Sequence, residues 1–366
     1  MARHLVLVGG GHSHIEVLRR FALDPPPDCR LTLIARQSHS IYSGMLPGVV
    51  AGRYRRDQAE IDLVPLARRA GAALLLDEMI GLDPTARQVI CRIAGPVGYD
   101  LLALDIGSTG GLSVPGAADY ALPVKPIDRF LDHWQALAAQ PALRGRIAVV
   151  GGGAGGVELA LAIRAGCVPP GPEVTLVTAD ELLPGMPPRA RRLLGDQLRR
   201  RDITIEAGRP VTRVTPGEVM LADGTSLPFD TVLWVTGAVA PAWIGRCGLA
   251  TDPDGFVAVD AGLRSISHPT VFASGDVAAV AGYRLPKAGV FAVRQGPVLA
   301  STLRRVLAGQ PPIPYRPQRH WLSLISTGDG RAVATRAGWT VFGRLPWYLK
   351  DWIDRRWIAR YNQPDR

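Results

Sequence analysis

The strongest constraint on the fold is a unit that the chain uses twice. Near the start, an apolar run from His4 to Val8 meets Gly9-Gly10-Gly11 and then a helix-like stretch, Ile15 to Phe21. Far downstream, Arg146 to Val150 meets Gly151-Gly152-Gly153-Ala154-Gly155-Gly156 and then Val157 to Ala165. A second apolar run follows each, Leu31-Thr32-Leu33-Ile34 and Val174-Thr175-Leu176-Val177, completing a strand–helix–strand unit. Beyond lie a short helix, Ile61 to Ala70 or Arg189 to Arg201, and then alternating strands. Those strands are Ala73 to Leu82 and Gln88 to Arg92 in the first copy, and Ile203 to Ala207, Val211 to Val214, Glu218 to Leu221 and Ser226 to Phe229 in the second. Both copies close alike, on Tyr99 to Gly107 and on Phe229 to Gly237. Repetition on this scale indicates one nucleotide-binding domain present twice.

No third copy starts after about Gly255. Val271-Phe272-Ala273-Ser274-Gly275-Asp276 reads as a buried strand that returns to the first domain's sheet, and a helix is expected from about Val290 to Leu307. Pro- and Gly-rich stretches near 110–116 and 238–255 read as crossings between domains. The expected fold is therefore α/β, with two Rossmann-like domains, the second inserted in the first, and β-meander crossovers. Residues 1–110 and 256–320 would form the first domain, 111–255 the second, and 321–366 a C-terminal membrane-directed or interface segment that contains a helix.

Composition narrows the class. The 366 residues are 47% hydrophobic with a mean hydropathy of +0.11, which excludes a disordered chain and suits two packed cores. No stretch reaches the roughly 18 uninterrupted apolar residues that cross a bilayer, and Leu5 to Val8 runs into glycines too soon for a signal-peptide core. A cytoplasmic protein is expected. Cys29, Cys91, Cys167 and Cys247 form no closely spaced pair, so a redox dithiol is not expected. The net charge of +10 is concentrated at 188–201 and 331–366, which marks two faces rather than a nucleic-acid surface.

A strand that feeds a glycine turn and a helix N-terminus offers free N–H groups and the positive end of the helix dipole to a pyrophosphate. Gly151, Gly153 and Gly156 fit the GxGxxG spacing, although tight strand–helix packing would demand glycines too. Gly9 and Gly11 fit the first two positions of the other turn, with His14 at the third. The acid that usually ends the second strand and grips the adenosine ribose is missing twice: Arg36 lies near that position in one domain and Thr178 in the other, with Asp180 two residues later. Arg189, Arg191 and Arg192 read either as partners of a 2′-phosphate or as a solvated basic helix face. His12, His14 and His39 lack a nearby carboxylate or thiolate, so no metal site is expected.

These paired turns, with Asp105-Ile106-Gly107-Ser108-Thr109, Val235-Thr236-Gly237-Ala238 and Gly275-Asp276, resemble the two-dinucleotide-binding-domain flavoproteins of the pyridine nucleotide–disulfide oxidoreductase superfamily over about residues 4–330. Gly9 to His14, Tyr42-Ser43-Gly44-Met45-Leu46-Pro47-Gly48 and the tail Leu322 to Arg356 are similar to the flavoprotein module fused ahead of selenide, water dikinase. More distantly, the chain resembles type II NADH:quinone dehydrogenases and apoptosis-inducing-factor-like quinone reductases. The resemblance implies bound FAD, with Gly9, Gly11 and His14 along its pyrophosphate, Ser43 and Gly44 at the isoalloxazine edge, Gly275 and Asp276 at its ribityl and phosphate part, and His12, Arg36 and Thr109 also in contact with the cofactor. It implies NAD(P)H at Gly151, Gly153, Gly156, Thr178 and Gly237. It also places Lys287 and Gln295 by the flavin pyrimidine and points Glu158 toward the nicotinamide, which makes Glu158 and Lys287 the candidate catalytic residues.

Where disulfide reductases carry a CxxxxC pair beside the flavin, this chain has Tyr42 to Pro47, without a thiol. Electrons would then pass from flavin to a diffusible acceptor, a quinone or a similar small molecule. The alternatives are a flavin-binding redox sensor or scaffold with little turnover, or a selenium- or sulfide-linked oxidoreductase. In the tail, Leu345, Leu349, Ile353, Trp357 and Tyr361 recur every fourth residue, flanked by Lys350, Arg355, Arg356 and Arg360. That stripe reads either as a surface for the inner face of the plasma membrane or as a packing face against the body or a second subunit of a homodimer.

Overall fold

Leu5 to Val8 are apolar without alternation because both faces of their strand are covered. In the computed structural model, which describes residues 2–139, 145–167 and 171–362, strand Arg3–Val8 pairs in parallel with Cys29–Ala35 on one side and Leu101–Leu104 on the other. The sheet runs Val271–Ala273, Leu101–Leu104, Arg3–Val8, Cys29–Ala35, Ala72–Leu76. A second sheet repeats it as Ala121–Pro123, Thr231–Trp234, Arg146–Val150, Glu173–Thr178, Ile203–Ala207. All pairings in both are parallel.

Helices α1 (His12–Leu23), α2 (Leu46–Val50) and α3 (Leu63–Arg69) follow the first glycine turn, and α4 (Ala117–Tyr120), α5 (Ile127–Ala138), α6 (Ala154–Gly166) and α7 (Pro188–Arg199) belong to the second copy. Helix α8 (Gly289–Leu307) packs on α1, with Gly296 facing Glu16 where a Cβ would collide, and α9 (Arg344–Asn362) ends the described chain. Three-stranded antiparallel meanders, Met79–Asp83 to Gly95–Gly98 and Val211–Thr215 to Ser226–Pro228, complete each copy.

Two expected elements differ. The strand expected over 73–82 is two strands, Ala72–Leu76 and Met79–Asp83, because the Asp77 carboxylate turns the chain by accepting from the backbone N–H groups of Glu78, Ile93 and Ala94. The helix expected from Ile61 starts at Leu63. Glu60–Asp62 pair instead with His39–Ile41, and Asp62 caps α3 by accepting from the Val64 N–H.

The crossings meet as a short antiparallel ladder, Thr109–Gly110 on Ala238–Val239. Past α8, a three-stranded antiparallel sheet, Ser323–Ser326, Ala332–Arg336 and Trp339–Gly343, leads into α9. Ile325 and Val333 enter the core of the second copy, whereas Ile358 and Tyr361 of α9 enter that of the first.

The apolar stripe on α9 divides. Tyr361 is fully buried and its hydroxyl donates to Glu16, and Trp357 packs on the same core. Leu345 and Leu349 remain exposed, as do Tyr348 and Trp352 beside them. Lys350, expected among the outward cations, points inward instead, because the Gly44 carbonyl and the buried Asp354 carboxylate claim its ammonium. Among the described residues, no helix is long and apolar enough to cross a membrane.

Candidate active and cofactor site

Asp105 organises the first glycine turn. Its buried carboxylate accepts from the N–H groups of Ser13 and His14 at the start of α1, taking two of the donors that a helix N-terminus leaves free. A Cβ on Gly11 would strike that carboxylate, and so would one on Gly275. Gly9, at φ +97°, faces the Asp105 carbonyl just as closely. At these positions the glycines answer first to Asp105. Burial pushes the Asp105 carboxyl up to about 7, against the two backbone donors. The Asp105–Thr109 motif alone assigns Asp105 no role; its signal in the sequence is an acid that ends the apolar strand Leu101–Leu104.

Beside this turn lies a cavity of about 900 Å³. Of the residues named from sequence, Gly9, Gly11, His12, Arg36, Ser43, Gly44, Thr109, Glu158, Asp276 and Lys287 line it. The Asp276 carboxylate accepts from Lys125 Nζ at 2.6 Å and from the Ser108 hydroxyl at 3.0 Å. Arg36 pairs with Asp128 at 3.3 Å. Lys287 donates to the Ala278 carbonyl and stands 3.6 Å over the Phe256 ring, and burial lowers its pKa. His12 packs against Tyr42 and Trp357, which also pack against each other. Burial holds its pKa down to about 4, so the ring is neutral near pH 7, and its Nε2 is buried without a partner.

Glu158, from the second copy's α6, lines the same cavity. It accepts from the Ser326 N–H at 2.7 Å. Burial pushes its carboxyl up to about 7, outweighing the attraction of Lys350. Lys350 of α9 donates to the Gly44 carbonyl at 2.6 Å and to Asp354 at 2.8 Å. Burial works against its charge, but Asp354 and Glu158 outweigh that and raise its pKa. Burial likewise raises the Asp354 carboxyl in spite of its lysine partner. Nothing in the local pattern around Lys350 marked it as an interior group, because its partners lie up to 306 positions away.

The other named residues lie off the cavity wall. His14 is fully buried in the strand–helix seam, Nδ1 2.8 Å from the Gly9 carbonyl, and therefore packs where a cofactor contact was expected. Gln295 is buried and accepts from the Gly275 N–H at 2.6 Å, holding the loop that carries Asp276. In the second copy, a Cβ on Gly156 would strike the Gly151 carbonyl, and one on Gly151 the Val235 carbonyl, so packing demands both glycines. Thr178 is buried against Gly152. Around Gly153 and Gly237, by contrast, a Cβ would meet nothing within 4 Å. The four cysteines are free, and none lines the cavity.

A family model described as pyridine nucleotide-disulphide oxidoreductase matches residues 3–296. The chain is 31% identical over 230 residues to a NADH dehydrogenase-like protein of Mycobacterium tuberculosis, a match covering 57% of this chain and 56% of that one, so it spans a little over half that relative's length. It is 23% identical over 345 residues to a demethylphylloquinone reductase of Synechocystis, covering 88% and 85%. In fold it is similar to the sulfide:quinone oxidoreductase of Aquifex aeolicus, with a TM-score of 0.82 at 18% identity over 99% of this chain and 92% of that one.

Proposed function

This chain belongs to the pyridine nucleotide-disulphide oxidoreductase family, and on that premise we propose that it is an FAD-dependent NAD(P)H oxidoreductase that reduces a quinone or a similar small acceptor. The observation that carries the reading is a shared wall: Gly155 and Glu158 of α6 line the same cavity as Ser43 and Gly44 of the first copy. A nicotinamide carried by the second glycine turn would thus face a flavin held by the first. FAD, when bound, supplies the redox chemistry, taking a hydride from NAD(P)H and giving two electrons to the acceptor.

The residues fit that cofactor. Gly9 to Gly11 bring backbone to the cavity, the partnerless Nε2 of His12 offers a polar contact, and Asp276 presents a carboxylate for hydroxyls. Ala288 and Gly289 bring the start of α8 to the wall beside Lys287, a positive potential suited to a ring that gains negative charge. Glu158, with its carboxyl near 7, can hold or release a proton at neutral pH. We assign residues 1–110 and 256–320 to the FAD domain and 111–255 to the NAD(P)H domain. Demethylphylloquinone reductase among the relatives supports the quinone, and the exposed half of the α9 stripe is the face we place against the membrane surface. The cysteine-free cavity speaks against a thiol relay of the kind a sulfide-linked enzyme would use.

The test is anaerobic stopped-flow. Mixing the FAD-loaded protein with NADH, and separately with NADPH, should bleach the flavin absorbance, and a soluble quinone should restore it. Flavin that neither nucleotide bleaches would leave a redox sensor or scaffold in place of an enzyme.

A further inference from the structure

The first copy's second strand ends at Ala35 and is followed by Arg36, and neither side chain can accept from ribose hydroxyls. The cavity reaches this strand end, since Ile34, Ala35, Arg36 and Gln37 all line it. There the inserted copy brings a carboxylate. Asp128, in the first turn of α5, lines the same cavity, and both of its oxygens lie 3.3–3.4 Å from the Arg36 guanidinium. We infer that Asp128 is the adenosine-ribose acid of the FAD site, supplied by the NAD(P)H domain in place of the residue missing from the FAD domain's own strand. The inference rests on the FAD reading above.

Three observations carry it. The guanidinium contacts are long, and a carboxylate has about four acceptor positions, so Arg36 can orient Asp128 and leave lone pairs for a pair of vicinal hydroxyls. Of the neighbouring acids on the wall, Asp77 accepts from backbone N–H groups, and Glu78 is drawn toward Arg92 at 3.0 Å, a closer contact than Arg36 makes with Asp128. Finally, Asp128 is held in place from the other end of its segment, because Lys125, three residues earlier, is ion-paired to Asp276. The segment from Lys125 to Asp128 thus spans from the acid we place at the ribityl to the strand end we place at the adenosine. Two carboxylates, one from each domain, would then hold the two polyol parts of one cofactor.

The test titrates deflavinated protein with FAD and with an FAD analogue whose adenosine lacks the 2′ and 3′ hydroxyls, read by flavin fluorescence. The wild type should prefer FAD by about tenfold or more, the scale of lost hydrogen bonds to a charged acceptor. Asp128→Asn should weaken FAD toward the analogue's Kd and leave analogue binding unchanged, which a merely structural role would not do. A wild type that binds both ligands equally, an Asp128→Asn protein that keeps the preference, or a preference lost only in Glu78→Gln would each overturn the assignment. A wild type that binds no FAD at all would instead remove the functional reading beneath it.

Discussion

Gly153 differs from the other glycines of its turn in what surrounds it. Gly151 and Gly156 are held to glycine by carbonyls of their own domain, whereas a Cβ on Gly153 would enter open space above the helix start. That space is where a pyrophosphate would approach. Gly153→Val should therefore fold, keep its flavin, and raise the NAD(P)H KM by about tenfold or more in steady-state assays. Gly156→Val should fail earlier, as lost soluble protein, because its side chain would drive α6 off the strand. Parallel loss of flavin in Gly153→Val would reverse the assignment of the two domains. The chemically suggestive residues behave in the same divided way. His14 and Gln295, expected at a cofactor, serve the frame around it, while Lys350, expected at the surface, faces Glu158 and Gly44.

Helix α9 is buried over one half and exposed over the other. From Trp357 onward it closes the first core, with Tyr361 buried and bonded to Glu16. Its first half exposes Leu345 at 80%, Tyr348 at 57% and Trp352 at 57%, beside Trp339 and Val341 of the preceding strand. Burying four large apolar side chains in a bilayer surface could contribute about 6–12 kcal/mol before ordering costs, and Arg356, stacked on Trp352, supplies a cation at that edge. The purified protein should co-sediment with anionic liposomes at low salt, and Leu345→Glu with Trp352→Glu should release it without loss of flavin. Protein that stays in the supernatant at every salt concentration, while the paired substitution shifts its mass in sedimentation velocity, would make the patch a contact between two copies instead.

Across the molecule, the cavity is walled by both repeated domains and tied by ion pairs between them, Lys125–Asp276 and Arg36–Asp128. The C-terminal segment inserts Ile325 and Val333 into one core and Ile358 and Tyr361 into the other. Opening either domain therefore disturbs the other, and a ligand spanning them should stabilise the whole. FAD at about one hundred times its Kd adds about 2.7 kcal/mol to unfolding by mass action. Calorimetry should show a single transition moved up by FAD and moved less by FMN at equal concentration, since FMN lacks the adenosine part. Two transitions, only one of them sensitive to FAD, would mean that the domains unfold independently.

By itself the sequence determined the repeated architecture. Strand, glycine turn, helix and strand are encoded by neighbouring residues, so both sheets and their turns were legible in the runs around Gly9 and Gly151, and the apolar run ending at Ala273 pointed to the strand that returns to the first sheet. The tertiary structure decided what those turns rest on and who lines the cavity. Asp105 reaches Ser13 across 92 positions, Lys350 reaches Gly44 across 306, and Asp128 meets Arg36 only because the inserted domain folds back over the first. Periodicity reports which face of an element is apolar, and on α9 it reported one continuous stripe. Whether that stripe meets a core or solvent depends on where the helix ends up, and α9 meets both.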